Sequence, residues 1–114
     1  MNKINYHHKT FRPTHTAANG EVTNDTVFHY QQQENIVTAE YAGGSIVRGH
    51  LIALVAADGC LDMRYHQVND RGELQTGYCH SVPEVLPDGR LRLHETWQWT
   101  SGNQSRGTSV VEET

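Results

Sequence analysis

Along most of the chain, large apolar residues alternate with polar ones, and short turn signals interrupt the alternation at regular intervals. From Thr26 onward these signals fall at Gln33-Glu34, Gly43-Gly44, Asp58-Gly59, Asn69-Asp70-Arg71-Gly72, Pro87-Asp88-Gly89 and Ser101-Gly102-Asn103. Turns of this composition, spaced by roughly 10–15 residues, indicate strands joined by hairpins. No window carries an apolar stripe at helical spacing between capping residues, so no long helix is expected. Residues 1–20 are less regular. Pro13, the run from Thr14 to Ala18 and the Asn19-Gly20 turn make them an N-terminal arm or an irregular first strand ahead of the main body, residues 21–114.

Turn positions fix a register, and register decides which face each side chain takes. A turn at Asp58-Gly59 pairs Ile52 with Tyr65, Leu54 with Met63 and His50 with Gln67. A four-residue loop from Asn69 to Gly72 pairs Met63 with Tyr78, Tyr65 with Thr76 and Leu61 with His80. Turning at Asp88-Gly89 sets Tyr78 opposite Trp99, His80 opposite Trp97 and Val82 opposite Glu95. Gly43-Gly44 sets Tyr41 opposite Ile46, and Gln33-Glu34 sets Tyr30 opposite Val37. One face then gathers most of the large apolar and aromatic groups, while Glu40, Asp62, Arg64, His66, Gln75, Arg92, His94 and Gln98 share the other. A one-sided antiparallel meander buries its apolar face and loses its edges by closing on itself. The expected fold is therefore all-β, a single antiparallel up-and-down barrel of about eight strands. A two-sheet sandwich is the alternative.

The inward face in this register is unusually polar for a core. It carries Tyr30, Tyr41, Arg48, His50, Tyr65, Gln67, Tyr78, His80, Glu95, Trp97 and Trp99 among the aliphatics. Polar tips on aromatic bodies suit a pocket for one small molecule, so these residues are the candidate ligand-binding set. The alternative is a filled barrel whose polar groups satisfy one another. Arg48, His50 and Gln67 would sit near one mouth, where the guanidinium could clamp a carboxylate or phosphate. Glu95 lies between Leu93 and Trp97, and with His80 or His50 it forms the candidate catalytic acid–base pair. Val47, Leu51, Ala53 and Val55 are expected to face outward on a strand that is apolar on both sides. Such a strand needs a cover. Either the arm around Phe11 and Pro13 or a second copy in a homodimer would supply it.

Composition narrows the partners. Nine Lys and Arg against 13 Asp and Glu give a net charge of −4 in 114 residues, which disfavours nucleic acid or an anionic membrane as a partner. No apolar run is long enough for a membrane span and no signal-peptide core follows Met1, so a cytoplasmic location is expected. Cys60 and Cys79, the two cysteines, read as reduced thiols with no C-x-x-C spacing. His29, His66 and His94 face outward without metal-ligand spacing, and no phosphate-binding loop, dinucleotide fingerprint or nucleophile elbow occurs, so neither metal nor cofactor is expected. Gly49 and Gly77 fall inside strands, where glycine marks a bend or a close approach, here read as barrel corners.

Four segments carry a family resemblance: Gly49-His50-Leu51-Ile52, the run from Asp62 to Asn69, the run from Pro83 to Gly89, and the run from Glu95 to Gly102. Over roughly residues 9–113 the chain resembles a family of small bacterial proteins with calycin, lipocalin-like barrels, some of them labelled N-acetylglutamate synthase-related. The resemblance implies a barrel for small ligands. The acetyltransferase chemistry in that label works at a glycine-rich turn leading into a helix, and this sequence has no such unit.

Overall fold

The structure is a computed structural model that describes residues 4–16, 23, 25–102 and 104–114. Eight strands follow one another in chain order: β1 (Lys9–Thr16), β2 (Val27–Gln33), β3 (Ile36–Gly43), β4 (Ile46–Val55), β5 (Leu61–Asn69), β6 (Leu74–Val85), β7 (Leu91–Trp99) and β8 (Arg106–Glu113). Each pairs antiparallel with the next, and β1 pairs with β8 to close the barrel. Among the described residues, no helix is long and apolar enough to cross a membrane. The N-terminal stretch contributes β1 itself: Phe11 points into the core between Phe28 of β2 and Glu113 of β8. It therefore does not cover the outside of β4. The expected Asn19-Gly20 turn lies outside the described residues.

Three hairpins share one construction. Ala56 N–H donates to the Cys60 carbonyl, Asn69 N–H to Glu73 and Leu86 N–H to Arg90, at 2.9, 3.1 and 2.8 Å. Each encloses a three-residue loop whose last residue is a glycine at positive φ: Gly59 at 89°, Gly72 at 75° and Gly89 at 89°. This left-handed position is where a three-residue hairpin turns back into its strand, and glycine takes it without steric cost. Asp58 and Asp88 brace two of the loops by accepting the N–H groups of Cys60 and Arg90, each at 3.0 Å.

The loop length corrects the expected register. Loops of three residues, rather than two or four, shift each pairing by one, so Leu51 faces Tyr65, Met63 faces Cys79 and Cys79 faces Trp97. Strands β5 and β7 keep their expected faces while β4 and β6 are turned over. Arg48, His50, Ile52 and Leu54 consequently lie on the outside of β4, and Tyr78, His80 and Val82 on the outside of β6. Leu51 and Ala53, expected outside, are each 2% exposed in the core, Val55 packs against that core, and only Val47 of the four stays outward. At the β2–β3 turn the shift is two residues, so Tyr30 faces Ala39 rather than Val37; at the β3–β4 turn it is three, with Tyr41 facing Gly49 rather than Ile46, and bulges lie between Tyr41 and Gly43 and between Ile46 and Arg48. The even shift keeps Tyr30 on the inner face, and the bulges absorb the odd one, so Tyr41 and Ile46 remain inside as well.

One half of the barrel is filled by large side chains that are almost completely buried. Tyr6, Phe11, Tyr30, Val37, Leu61, Leu93 and Val111 are at most 1% exposed. Tyr6 reaches this end from the segment before β1 and donates its hydroxyl to the Gly59 carbonyl at 2.6 Å. Its backbone N–H donates to Gln32 Oε1 at 2.9 Å. Burial of each such side chain contributes about 1.5–3 kcal/mol. The segment around His7 and His8, polar by sequence, is thus held down by one aromatic plug.

Gly49 and Gly77 are seats for rings rather than corners. The Tyr41 ring lies across Gly49, its direct cross-strand partner, and the Tyr65 hydroxyl end lies across Gly77, its own partner. A side-chain carbon at either position would occupy space the ring fills. At 77 it would also stand 2.6 Å from the Gln98 carbonyl oxygen. Gly49→Ala and Gly77→Ala should each destabilise the fold by about 1–3 kcal/mol through this overpacking, read from urea midpoints. A midpoint equal to that of the parent protein would show that the rings are not seated there.

Candidate functional site

The other half of the barrel, toward the β3–β4, β5–β6 and β7–β8 turns, is not filled. It holds a cavity of about 60 Å³ lined by Phe28, Tyr41, Leu51, Met63, Tyr65, Gln67, Cys79, Glu95, Trp97, Trp99 and Ser109. Space of this size holds a small cluster of waters or the head of a small molecule. Alternation along β7 supplies three of these residues, Glu95, Trp97 and Trp99, because every second residue of a strand points the same way.

Aromatic rings form most of the wall. Trp97 and Trp99 meet edge to face at 5.7 Å, and Tyr65 meets Trp99 the same way at 5.7 Å. Phe28 stacks on Tyr41 at 4.5 Å on the facing side. Arrangements of this kind add about 0.5–1.5 kcal/mol per pair beyond the area buried and hold the rings in place. The Tyr41 hydroxyl donates to Gln67 Oε1 at 2.9 Å, and Gln67 Nε2 donates to Gln75 Oε1 at 3.0 Å. That relay satisfies a buried amide whose polar atoms would otherwise be costly.

Glu95 is the one carboxylate of the lining. Ser109 Oγ donates to Oε1 at 2.9 Å and Ser81 Oγ to Oε2 at 3.4 Å. Cys79 Sγ lies 3.7 Å from the Ser81 hydroxyl. Among the described residues no Lys, Arg or His forms an ion pair with it. Burial pushes its carboxyl up to about 7, against the lowering effect of the two serine hydrogen bonds. Burial and the nearby Glu95 charge also raise the Tyr30, Tyr41 and Tyr65 hydroxyls and the Cys79 thiol, so these stay neutral across ordinary pH.

Seven of the candidate residues point inward: Tyr30, Tyr41, Tyr65, Gln67, Glu95, Trp97 and Trp99. Tyr30 belongs to the packed half, and the other six line the cavity. Arg48, His50, Tyr78 and His80 are outside, for the register reason given above. His50 stacks on His66 at 5.5 Å on the outer surface, and Tyr78 donates to Gln98 Oε1 at 2.6 Å there. No cationic clamp from Arg48 stands inside the barrel, and neither His80 nor His50 forms an acid–base pair with Glu95. Cys79, Leu51 and Ser81, all absent from the candidate set, take the inward places. Glycine at the third position of each loop was the available signal for them. Ser109 required the β7–β8 register, where it faces Glu95 directly. Among the described residues, no group of three His, Cys, Asp or Glu side chains could hold a metal ion.

Comparison with known proteins agrees with this architecture. The model of a family described as avidin-like protein matches residues 4–114, nearly the whole chain. No curated protein and no solved structure matches it. An eight-stranded barrel of the calycin type, matched from β1 through β8, identifies this chain as a member of the avidin-like family.

Proposed function

We propose that this protein binds a small molecule inside the barrel, in the cavity floored by Glu95 and walled by Trp97, Trp99, Tyr65, Tyr41 and Phe28. The observation that carries this reading is the contrast between the two halves of one interior. One half buries Tyr6, Phe11, Tyr30, Leu61 and Leu93 at 1% exposure or less, while the other keeps an aromatic cavity around a single hydrogen-bonded carboxylate. Apolar walls with a few placed polar groups are what small-molecule sites have in common. Membership of a barrel family whose members typically bind small ligands supports the same reading. In this proposal Trp97 and Trp99 supply contact area, Gln67 and Tyr41 supply hydrogen bonds, and Glu95 supplies the innermost polar contact. Acid–base catalysis has less support, because Glu95 lacks a histidine partner and faces only hydroxyls, a thiol and rings.

Native mass spectrometry of freshly purified protein beside a denatured control tests the reading. A reproducible excess mass lost on denaturation is expected. A bare chain whose Trp97 and Trp99 emission does not respond to added small molecules would count against it.

The carboxyl also makes a prediction about stability. Its folded value of about 7 lies above the ordinary 4.5, so the folded state holds the proton more tightly than the unfolded chain does. The associated stabilisation is complete below the ordinary value and is lost as pH rises through about 7. Glu95→Gln removes the ionisable group. The variant should exceed the parent by up to about 3 kcal/mol above neutrality, with the gap closing in mild acid. A gap independent of pH in urea melts would contradict a buried carboxyl without a cationic partner.

For the expected homodimer, the corrected register moves the outward apolar residues to Ile36, Ile52 and Leu54, which are 42%, 48% and 54% exposed on neighbouring strands. In this proposal they replace Leu51 and Ala53 at the contact. The double variant Ile52→Glu, Leu54→Glu should sediment as a monomer while the parent sediments as a dimer. A parent that is itself monomeric would end the idea.

A further inference from the structure

The charge and shape of the interior narrow the ligand to one chemical class. Five of the residues lining the cavity are aromatic and none is basic, leaving Glu95 without a counter-charge. A carboxylate offers about four acceptor positions. Two are taken by Ser109 and Ser81, and the others are free to meet whatever occupies the cavity. An ionised carboxylate inside a protein is costly unless a cation pairs with it. Ring faces carry negative potential, and a cation against several of them gains about 0.5–2 kcal/mol, most when desolvated. The Trp97–Trp99 and Tyr65–Trp99 edges fix the orientation of those faces.

We propose that the interior site takes a small organic cation, a protonated amine or amidine whose N–H groups bond Glu95 while its carbon frame lies against Trp97, Trp99 and Tyr65. This rests on the interior-site reading above and specifies its ligand. In this arrangement the charged head sits in the cavity beside Glu95 and the remainder of the ligand is directed toward Tyr41 and Gln67, which also line it. An anionic ligand meets repulsion from Glu95 and finds no basic side chain in the lining. A neutral ligand leaves the carboxylate unpaired or protonated.

The titratable groups facing Glu95 are Tyr30 from β2, Tyr41 from β3, Tyr65 from β5 and Cys79 from β6; β4 and β8 contribute Leu51 and Ser109. All four titratable groups are raised and stay protonated, so Glu95 alone changes charge near neutrality. Binding of a cation displaces any proton on Glu95 into solvent, and affinity therefore falls as pH drops below about 7.

The test compares n-butylammonium with 1-butanol, a neutral molecule of similar shape, by the emission of Trp97 and Trp99. Above neutrality the ammonium ion should bind at least about tenfold more tightly, a difference of about 1.4 kcal/mol. The preference should shrink in mild acid and vanish in Glu95→Gln. If that variant fails to fold, the pH series on the parent protein decides alone. Equal affinity for both probes above neutrality would overturn the cation and leave the interior site standing. So would a neutral or anionic molecule found in the barrel by native mass spectrometry. Failure of both probes to bind, with no copurified molecule, would overturn the cation together with the interior-site reading.

Discussion

A closed antiparallel barrel has one inside, and the phase of each strand is set by the length of the loop that precedes it. In this chain three hairpins use the same three-residue loop ending in glycine at positive φ. The lining of the cavity depends on that choice. It brings Leu51 and Cys79 into the cavity and turns Arg48, His50, Tyr78 and His80 out to solvent. Loops of two or four residues in the same places would have built an interior with cations at its mouth. The loops present leave Glu95 in the company of two serines and aromatic rings.

Packing then divides the interior. Tyr6 and its neighbours close one half, while Gly49 and Gly77 let the Tyr41 and Tyr65 rings lie flat against the wall in the other. Those rings are held by their glycine seats and by ring contacts, Tyr41 stacked on Phe28 and Tyr65 edge to face with Trp99, so the cavity between them is a feature of the backbone as much as of the side chains. Several of the charged groups that pair, such as Arg92 with Glu112 and Glu84, sit on the outer surface, where ion pairs contribute little. Glu95 in the cavity has no such partner among the described residues, and its surroundings raise its proton affinity instead of neutralising its charge.

Much of this was legible in the residues. Alternation and turn spacing lead to an eight-stranded barrel, and the inward faces of β5 and β7 follow correctly from Leu61, Met63, Tyr65, Glu95, Trp97 and Trp99. The faces of β4 and β6 do not, because a Asp-Gly pair is compatible with a two-residue turn and with the end of a three-residue loop. One residue of loop length reverses a whole strand. On β4 apolar residues occupy both faces, so composition offers no check: Ile52 and Leu54 are as hydrophobic as Leu51 and Ala53. Glycine at 49 and 77 was a better guide, since each marks the inward face under a tyrosine ring. Tyr6 was hidden among polar residues with no periodicity to single it out.

The character of the cavity rests on Glu95 being an interior carboxyl with no cation beside it among the described residues. The most direct measurement is the titration of its side-chain carboxyl carbon by NMR in the ligand-free protein. The account predicts a midpoint pushed up to about 7, with Tyr30, Tyr41 and Tyr65 showing no ionisation over the same range. A midpoint in the ordinary carboxylate range near 4.5 would contradict it, because the carboxyl would then be in contact with solvent or with a cation.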